Sequence, residues 1–193
     1  MNLNNNYWEN RYLKNEIGWD VGSITQPLKS YIDQLKNKDL KILIPGGGNS
    51  YEFEYLIQKG FKNTHVLDYA QTPIKNIKKR LPKVPNHQII CEDFFSHKDH
   101  YDLIIEQTFF CALSPSLRKE YVLKMNSLLI PQGKIAGLLF EFPLTSESPP
   151  FGGSKEEYQT LFSPHFNIKT LETAYNSIKP RQGKELFFIF TKK

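Results

Sequence analysis

The sequence predicts an α/β domain: a three-layer, Rossmann-like sheet of about seven strands, mostly parallel, with a reversed C-terminal strand. Three observations predict it. Short apolar runs of strand length alternate with segments whose apolar residues recur at helical spacing. The first run ends in the turn Pro45-Gly46-Gly47-Gly48, which feeds a helix. The last two strand-like runs follow each other with no helix between them, which implies an antiparallel hairpin.

The elements follow in order. Leu28, Tyr31, Ile32 and Leu35 form one face of a helix entered through Thr25-Gln26-Pro27. Residues 41–44 read as the first strand. Phe53, Leu56 and Ile57 mark a helix that stops at Gly60. Residues 64–67 form the second strand, ending at Asp68, and Thr72-Pro73 opens a helix with Ile74, Ile77 and Leu81 inward. Strands three and four are residues 87–91 and 102–106. Ser114-Pro115 opens a longer helix with Leu117, Tyr121, Met125 and Leu128 on one stripe. Pro131-Gln132-Gly133 turns into strand five, residues 134–140. A Pro/Gly/Ser-rich loop covers residues 143–153, and Ser154 and Glu157 have capping-box spacing before a helix with Tyr158, Leu161 and Phe162 inward. Strands at residues 167–174 and 185–191 flank a loop with Pro180, Arg181 and Gly183.

A chain of 193 residues is enough for one two-sided α/β core and too short for two, so residues 1–193 are expected to be a single domain. No apolar run is long enough to cross a bilayer. Residues 1–6 are polar and carry no export signal, so the expected location is cytoplasmic, with no membrane partner. The net charge of +5 is mostly scattered lysine, with one cluster at Lys75, Lys78, Lys79 and Arg80 that reads as a solvated helix face. No basic stripe with interleaved aromatics suggests nucleic acid. The two cysteines, Cys91 and Cys111, make no C-x-x-C pair, which argues against zinc, and no metal is expected.

In open parallel sheets, ligands bind beyond the carboxyl ends of the strands. Four such ends carry suggestive residues. Gly46, Gly47 and Gly48 let the backbone pass close to a ligand and lead to a helix N-terminus that favours an anionic group. Asp68 lies 20 residues after Gly48, the separation at which an acid can accept from ribose hydroxyls. Glu92-Asp93-Phe94-Phe95 sets an acid beside aromatics, suited to an adenine. Glu106 in Glu106-Gln107-Thr108-Phe109-Phe110-Cys111 is a carboxylate at a buried strand end, costly unless it meets a donor or cation. S-Adenosyl-L-methionine would answer all four, since its methionine portion brings an ammonium and a sulfonium. The alternatives fit less well. The third glycine of a G-x-G-x-x-G fingerprint is Tyr51, and no G-K-[ST] follows the glycines.

With these residues in view, the chain resembles the thiopurine S-methyltransferase family, most closely its thiol and halide methyltransferase branch. Trp8-Glu9-Asn10-Arg11-Tyr12 and Trp19-Asp20-Val21-Gly22 are similar to that branch's opening, W-E-x-x-[WY] then W-D-x-G. Gln26-Pro27-Leu28 continues it. Leu43-Ile44-Pro45-Gly46-Gly47-Gly48 resembles its L-V-P-G-C-G turn, with Tyr51-Glu52 after it. Phe109-Phe110-Cys111-Ala112-Leu113 with Arg118 resembles its F-F-C-A-I…R segment, and Pro149-Pro150-Phe151 and Arg181-Gln182-Gly183-Lys184-Glu185 also have counterparts. Gly47 stands for the usual cysteine, expected to be harmless. Asn49-Ser50 stands for a small residue then glycine, which predicts a less open turn, and Tyr12 stands where tryptophan is common.

The resemblance implies a class I, S-adenosyl-L-methionine-dependent methyltransferase. It implies that residues 1–25 form a lid in which Trp8, Tyr12 and Trp19 lie over the cofactor and substrate mouth. The candidate cofactor contacts are Trp8, Trp19, Gly46, Gly47, Gly48, Asp68, Tyr69, Asp93, Phe94 and Glu106. The candidate substrate-pocket residues are Tyr12, Phe110 and Arg181. The expected reaction is in-line transfer of a methyl group to a small soft nucleophile such as a thiol, sulfide, halide or thiopurine-like acceptor, by a monomer. No residue reads as an obvious base. Arg181 and Lys184 are candidates for a positive neighbour to the acceptor, and Cys111 reads as a packed thiol rather than a nucleophile. The alternatives are a cofactor-binding protein of the same fold without transfer, or a methyltransferase for another small acceptor.

Overall fold

Asn4 caps the first helix, α1 (Asn5–Leu13), by accepting from the Tyr7 backbone N–H at 3.0 Å. The computed structural model describes residues 2–145 and 147–193. The remaining helices are α2 (Gln26–Asp33), α3 (Tyr51–Gln58), α4 (Gln71–Arg80), α5 (Arg118–Ser127) and α6 (Lys155–Phe162). The strands are β1 (Ile42–Pro45), β2 (Thr64–Asp68), β3 (Ile89–Cys91), β4 (Tyr101–Gln107), β5 (Leu129–Phe140), β6 (Phe166–Thr173) and β7 (Glu185–Lys192). They form one seven-stranded sheet in the order β3-β2-β1-β4-β5-β7-β6. β7 is antiparallel to both its neighbours, while β1 to β5 pair in parallel.

Two apolar layers fill the space between sheet and helices. One packs Leu28 and Ile32 of α2, Phe53 and Leu56 of α3 and Ile74 and Ile77 of α4 against Ile42, Ile44, Val66 and Ile105. The other is aromatic: Tyr121 of α5 and Tyr158 and Phe162 of α6 meet Phe110, Phe166, Phe188 and Phe190. β1 and β2 are buried along their whole length, as expected for parallel strands covered on both faces. Since every helix but α1 contributes to one of these layers, their apolar stripes set the packing.

The sequence-based boundaries differ at three places. Strand three begins at Ile89, because residues 86–88 form a 3-10 turn. The helix opened by Ser114-Pro115 is a 3-10 turn over Pro115–Leu117 that becomes α5 at Arg118. β5 starts at Leu129, opposite Tyr101, and its register then jumps to Lys134 opposite Leu103. Pro131-Gln132-Gly133 is thus an irregularity within the strand, with Gln132 at φ 62°. Half of the predicted capping box forms: the Glu157 N–H donates to Ser154 Oγ at 3.2 Å, while the Glu157 carboxylate pairs with Arg118 instead of reaching back to the Ser154 N–H. The loop after β5 crosses Ser146, which lies outside the described residues.

Candidate functional site

β1 to β4 point their carboxyl ends at a cleft of about 800 Å³. The glycine turn forms its floor. Gly46 and Gly48 both sit at φ +56°, and a Cβ on Gly48 would come 2.5 Å from the Tyr12 hydroxyl, while one on Gly46 would overlap the Phe109 ring. Only glycine meets both demands at once. Ser50 takes φ +42° where a glycine was expected. Its neighbour Asn49 is bound to Asp20 at 2.6 Å and to Asn76 at 3.0 Å. A Cβ on Gly47 would lie 2.6 Å from Val66 Cγ2, so the cysteine usual at that position would need Val66 to shift.

Asp68, 7 % exposed, ends β2 and accepts from the Gly48 N–H at 2.9 Å and the Ala70 N–H at 2.8 Å. Burial pushes its carboxyl up to about 6, against the pull of these backbone bonds. Tyr69 beside it lines the cleft and donates through its hydroxyl to the Leu3 carbonyl at 2.7 Å. Asp93 and Phe94 line the same side, and Asp93 accepts from the Phe95 N–H at 3.1 Å. His97, bonded to Glu92 and to the Tyr101 hydroxyl, braces that loop from below.

Trp8, Tyr12 and Trp19 form an edge-to-face cluster over the cleft, with Trp19 5.5 Å from Trp8 and 5.7 Å from Tyr12 between ring centroids. α1 buries none of its residues, so polar clasps hold it. Thr72 donates to Glu9 through its backbone N–H at 3.0 Å and its hydroxyl at 2.5 Å, and the Asn5 amide donates to the Tyr69 carbonyl. On the opposite wall, Arg181 donates to the Trp19 carbonyl at 2.7 Å and pairs with buried Glu185 at 3.5 Å. Phe140, Pro149 and Pro150 complete that wall.

Three candidate residues, Glu106, Phe110 and Lys184, lie outside the cleft lining. Glu106, fully buried, accepts from the Phe109 and Phe110 N–H groups at 2.8 and 3.0 Å and from the Tyr121 hydroxyl at 2.5 Å. It shapes the loop after β4 from beneath. Phe110 turns into the aromatic core, with the Arg118 guanidinium over its ring. Its neighbours Phe109 and Cys111 face the cleft instead, because Thr108 at φ +57° and the 3-10 turn Phe110–Ala112 rotate the chain there. Cys111 is buried, its thiol is pushed well up by burial, and it lies 3.4 Å from the Thr108 carbonyl, as a packed thiol should. Lys184 is exposed and is not part of the wall.

Glu52 is a lining residue that the sequence reading did not single out. It is 6 % exposed in the first turn of α3, and burial pushes its carboxyl up to about 7. The available signal was its place on the inward face, next to Phe53 and one turn before Leu56.

The fold and the cleft define a class I methyltransferase architecture. The 1,6-didemethyltoxoflavin-N1-methyltransferase of Burkholderia thailandensis, solved with bound 1,6-didemethyltoxoflavin and S-adenosylhomocysteine, superposes with a TM-score of 0.80 over 99% of this chain and 88% of that one, at 14% identity. The family model for thiopurine S-methyltransferase matches residues 3–191, and the chain belongs to that family. A probable thiol methyltransferase 2 of Arabidopsis thaliana is 28% identical over 92% of this chain and 81% of that protein. A thiopurine S-methyltransferase of Vibrio vulnificus is 26% identical over 93% and 90%.

The chain is therefore an S-adenosyl-L-methionine-dependent methyltransferase. The cleft suits that cofactor on its own terms. Two acids stand at neighbouring strand ends, the α3 N-terminus has no side-chain cap, and the buried Ser50 hydroxyl has no partner among the described residues. No helix among the described residues is long and apolar enough to cross a membrane.

Proposed function

We propose that the chain moves a methyl group to a small soft nucleophile, a thiol, sulfide, halide or thiopurine-like acceptor, with residues 1–25 acting as a lid. The observation that carries this reading is the acceptor side of the cleft: an aromatic wall of Trp19, Phe109 and Phe140 beside Arg181, the one buried cation among the described lining residues. The names of the relatives agree, being thiol, thiocyanate and thiopurine methyltransferases.

When bound, the cofactor supplies a methyl group already activated by a sulfonium charge. The chain's own residues align and dehydrate. Asp68 and Asp93 would meet the ribose and adenine, and Gly46 to Gly48 with Ser50 the amino-acid end. Trp8, Tyr12 and Trp19 close over them and exclude water, which strengthens the nucleophilicity of a soft anion. Arg181 offers that anion a positive neighbour while it ties the C-terminal loop to Trp19. Holding acceptor and methyl in line is worth roughly 7–11 kcal/mol of the barrier, and aromatic faces contribute about 0.5–2 kcal/mol toward a nearby cation.

The test is a panel of iodide, thiocyanate, hydrosulfide and an aromatic thiol, each with methyl-labelled cofactor. Volatile or extractable methylated product from at least one is the expected result. Cofactor binding by calorimetry with no transfer to any member would reject the soft-acceptor reading.

A further inference from the structure

We propose that Asn49 is a positioning residue for Trp19: its side-chain amide ties the glycine turn after β1 to the Trp19-Asp20 step over the cleft. The inference rests on the reading of residues 1–25 as a lid and names the contact that couples that lid to the cofactor end of the site.

Little else holds this part of the chain. No residue from 14 to 23 belongs to either apolar layer. Among the described residues, two hydrogen bonds join residues 14–24 to the chain beyond residue 25, and they fall on adjacent residues. Arg181 donates to the Trp19 carbonyl at 2.7 Å from the acceptor wall. The Asn49 amide donates to Asp20 Oδ2 at 2.6 Å from the glycine turn. The Trp19-Asp20 step is thus held from two different sides of the cleft.

The chemistry of the partners sets the direction of the amide. An ionised carboxylate only accepts, so Asn49 turns its NH2 group to Asp20. Its oxygen then faces the Asn76 amide of α4, which donates to it at 3.0 Å. The Asn49 backbone carbonyl accepts from the Arg80 guanidinium, which also holds Glu54 of α3 at 2.7 Å. On the lid side, the other Asp20 oxygen takes the Gly22 N–H at 2.7 Å, and the Asp20 N–H donates to the Ile17 carbonyl at 2.8 Å. A closed turn on the lid therefore meets a residue anchored to two helices.

The chain then links the cofactor end to the acceptor end. Asn49 follows Gly48, whose N–H is clamped by Asp68. The Trp19 ring is braced by Trp8 and Tyr12, with the Arg11 guanidinium 5.5 Å over it. Those braces belong to the lid and keep its rings together. Asn49 and Arg181 decide where Trp19 stands against the rest of the domain. A hydrogen bond to a charged group is worth about 10- to 100-fold in an equilibrium constant, and this one is only half-buried, so the lower figure applies.

Trp8 and Trp19 are the two tryptophans of the chain, so tryptophan emission reads the lid directly. The test measures its acrylamide quenching, and calorimetric affinity for S-adenosylhomocysteine, in wild type, Asn49→Ala, Asn49→Asp, and Asn49→Asp combined with Asp20→Asn. Asn49→Asp sets two carboxylates against each other. Adding Asp20→Asn exchanges donor and acceptor, so the bonds to Gly22, to Asn76 and across the pair can all form again. Quenching should rise in both single variants, at temperatures where the fold is intact, and affinity should fall about tenfold. Both should return toward wild type in the double variant. The melting temperature of Asn49→Ala should move little, because the tie lies outside both apolar layers.

Wild-type quenching and affinity in the single variants would overturn the proposal and leave Asn49 a turn residue only. So would a double variant as impaired as Asn49→Asp, or quenching that rises only as the fold melts. Should Asn49→Asp fail to fold, Asn49→Ala against wild type decides alone. A wild type that transfers methyl to no acceptor in the panel above would reject the soft-acceptor reading and leave these optical and calorimetric outcomes intact.

Discussion

The Gly48 backbone N–H donates to Asp68 Oδ2 at 2.9 Å, joining the glycine turn after β1 to the tip of β2. Asp68 thus clamps the turn and, in the proposed site, also meets the ribose; a substitution can separate the two. Asp68→Ala removes the acceptor for Gly48 and Ala70 together with any bond to a ribose, so both melting temperature and cofactor affinity should fall. Asp68→Asn keeps one carbonyl oxygen and loses the charge. Its cofactor affinity should drop by about 1–3 kcal/mol with a smaller change in melting temperature. Calorimetry and thermal denaturation on the two variants check this, and an unchanged affinity in Asp68→Asn would take the residue out of the cofactor site.

Glu106 should behave in the opposite way. Its three donors are the Phe109 and Phe110 N–H groups and the Tyr121 hydroxyl. Glu106→Ala orphans all three in a buried place, at about 1–3 kcal/mol for each group left without a partner. Glu106→Gln can keep accepting from the backbone and can donate to Tyr121. Denaturant unfolding should show Glu106→Ala several kcal/mol less stable and Glu106→Gln near wild type, with cofactor affinity in the glutamine variant changed less than about threefold. A tenfold or greater loss in that variant would return Glu106 to direct cofactor contact.

Much of this site was legible in the sequence because glycine and acid positions at strand ends follow from the strand–helix alternation alone. Asp68, Asp93 and the glycines needed only the correct strand boundaries, and those were good to a few residues. The orientation of Phe109 against Phe110 was not legible. The two are adjacent, both are aromatic, and the choice depends on the positive φ of Thr108 and the 3-10 turn that follows it. That Glu106 lies outside the cleft lining was hidden for the same reason: the turn folds its own N–H groups back over the carboxylate. The bulge in β5 was hidden because Pro131-Gln132-Gly133 looks the same as a turn until the pairing with β4 is known.

Stability should depend on pH through Glu52. Burial raises its folded pKa from the ordinary 4.5 to about 7, so the folded state holds a proton that the unfolded state has released between those values. The sign follows from linkage: this contribution is full below about 4.5 and is lost as pH rises to about 7. Glu52→Gln cannot ionise. It should match wild type near pH 4.5 and exceed it near pH 8 by on the order of 2–3 kcal/mol. Urea unfolding at the two pH values measures this, and an equal stability difference at both would show that Glu52 ionises normally in the fold.

Arg181 and Glu185 form a buried pair, with the arginine also on the Trp19 carbonyl. Arg181→Ala leaves a buried carboxylate without its cation, at about 3–5 kcal/mol. Adding Glu185→Gln should restore most of the stability. Methyl transfer should stay low in the double variant, because neither the cation nor the tie to Trp19 returns. Recovery of stability and transfer together would make the pair purely structural.

The clasps of α1 have a further consequence for turnover. The helix contributes no residue to the two apolar layers and hangs on Glu9, Asn5 and Tyr69, with Trp8 and Tyr12 edge-on to Trp19, so lifting it would part those rings and leave the sheet intact. On the lid proposed above, spent product would leave through a hinge held by a few exchangeable bonds, and its rate of release would be tunable by single polar substitutions on α4 or α1 without eroding the scaffold beneath.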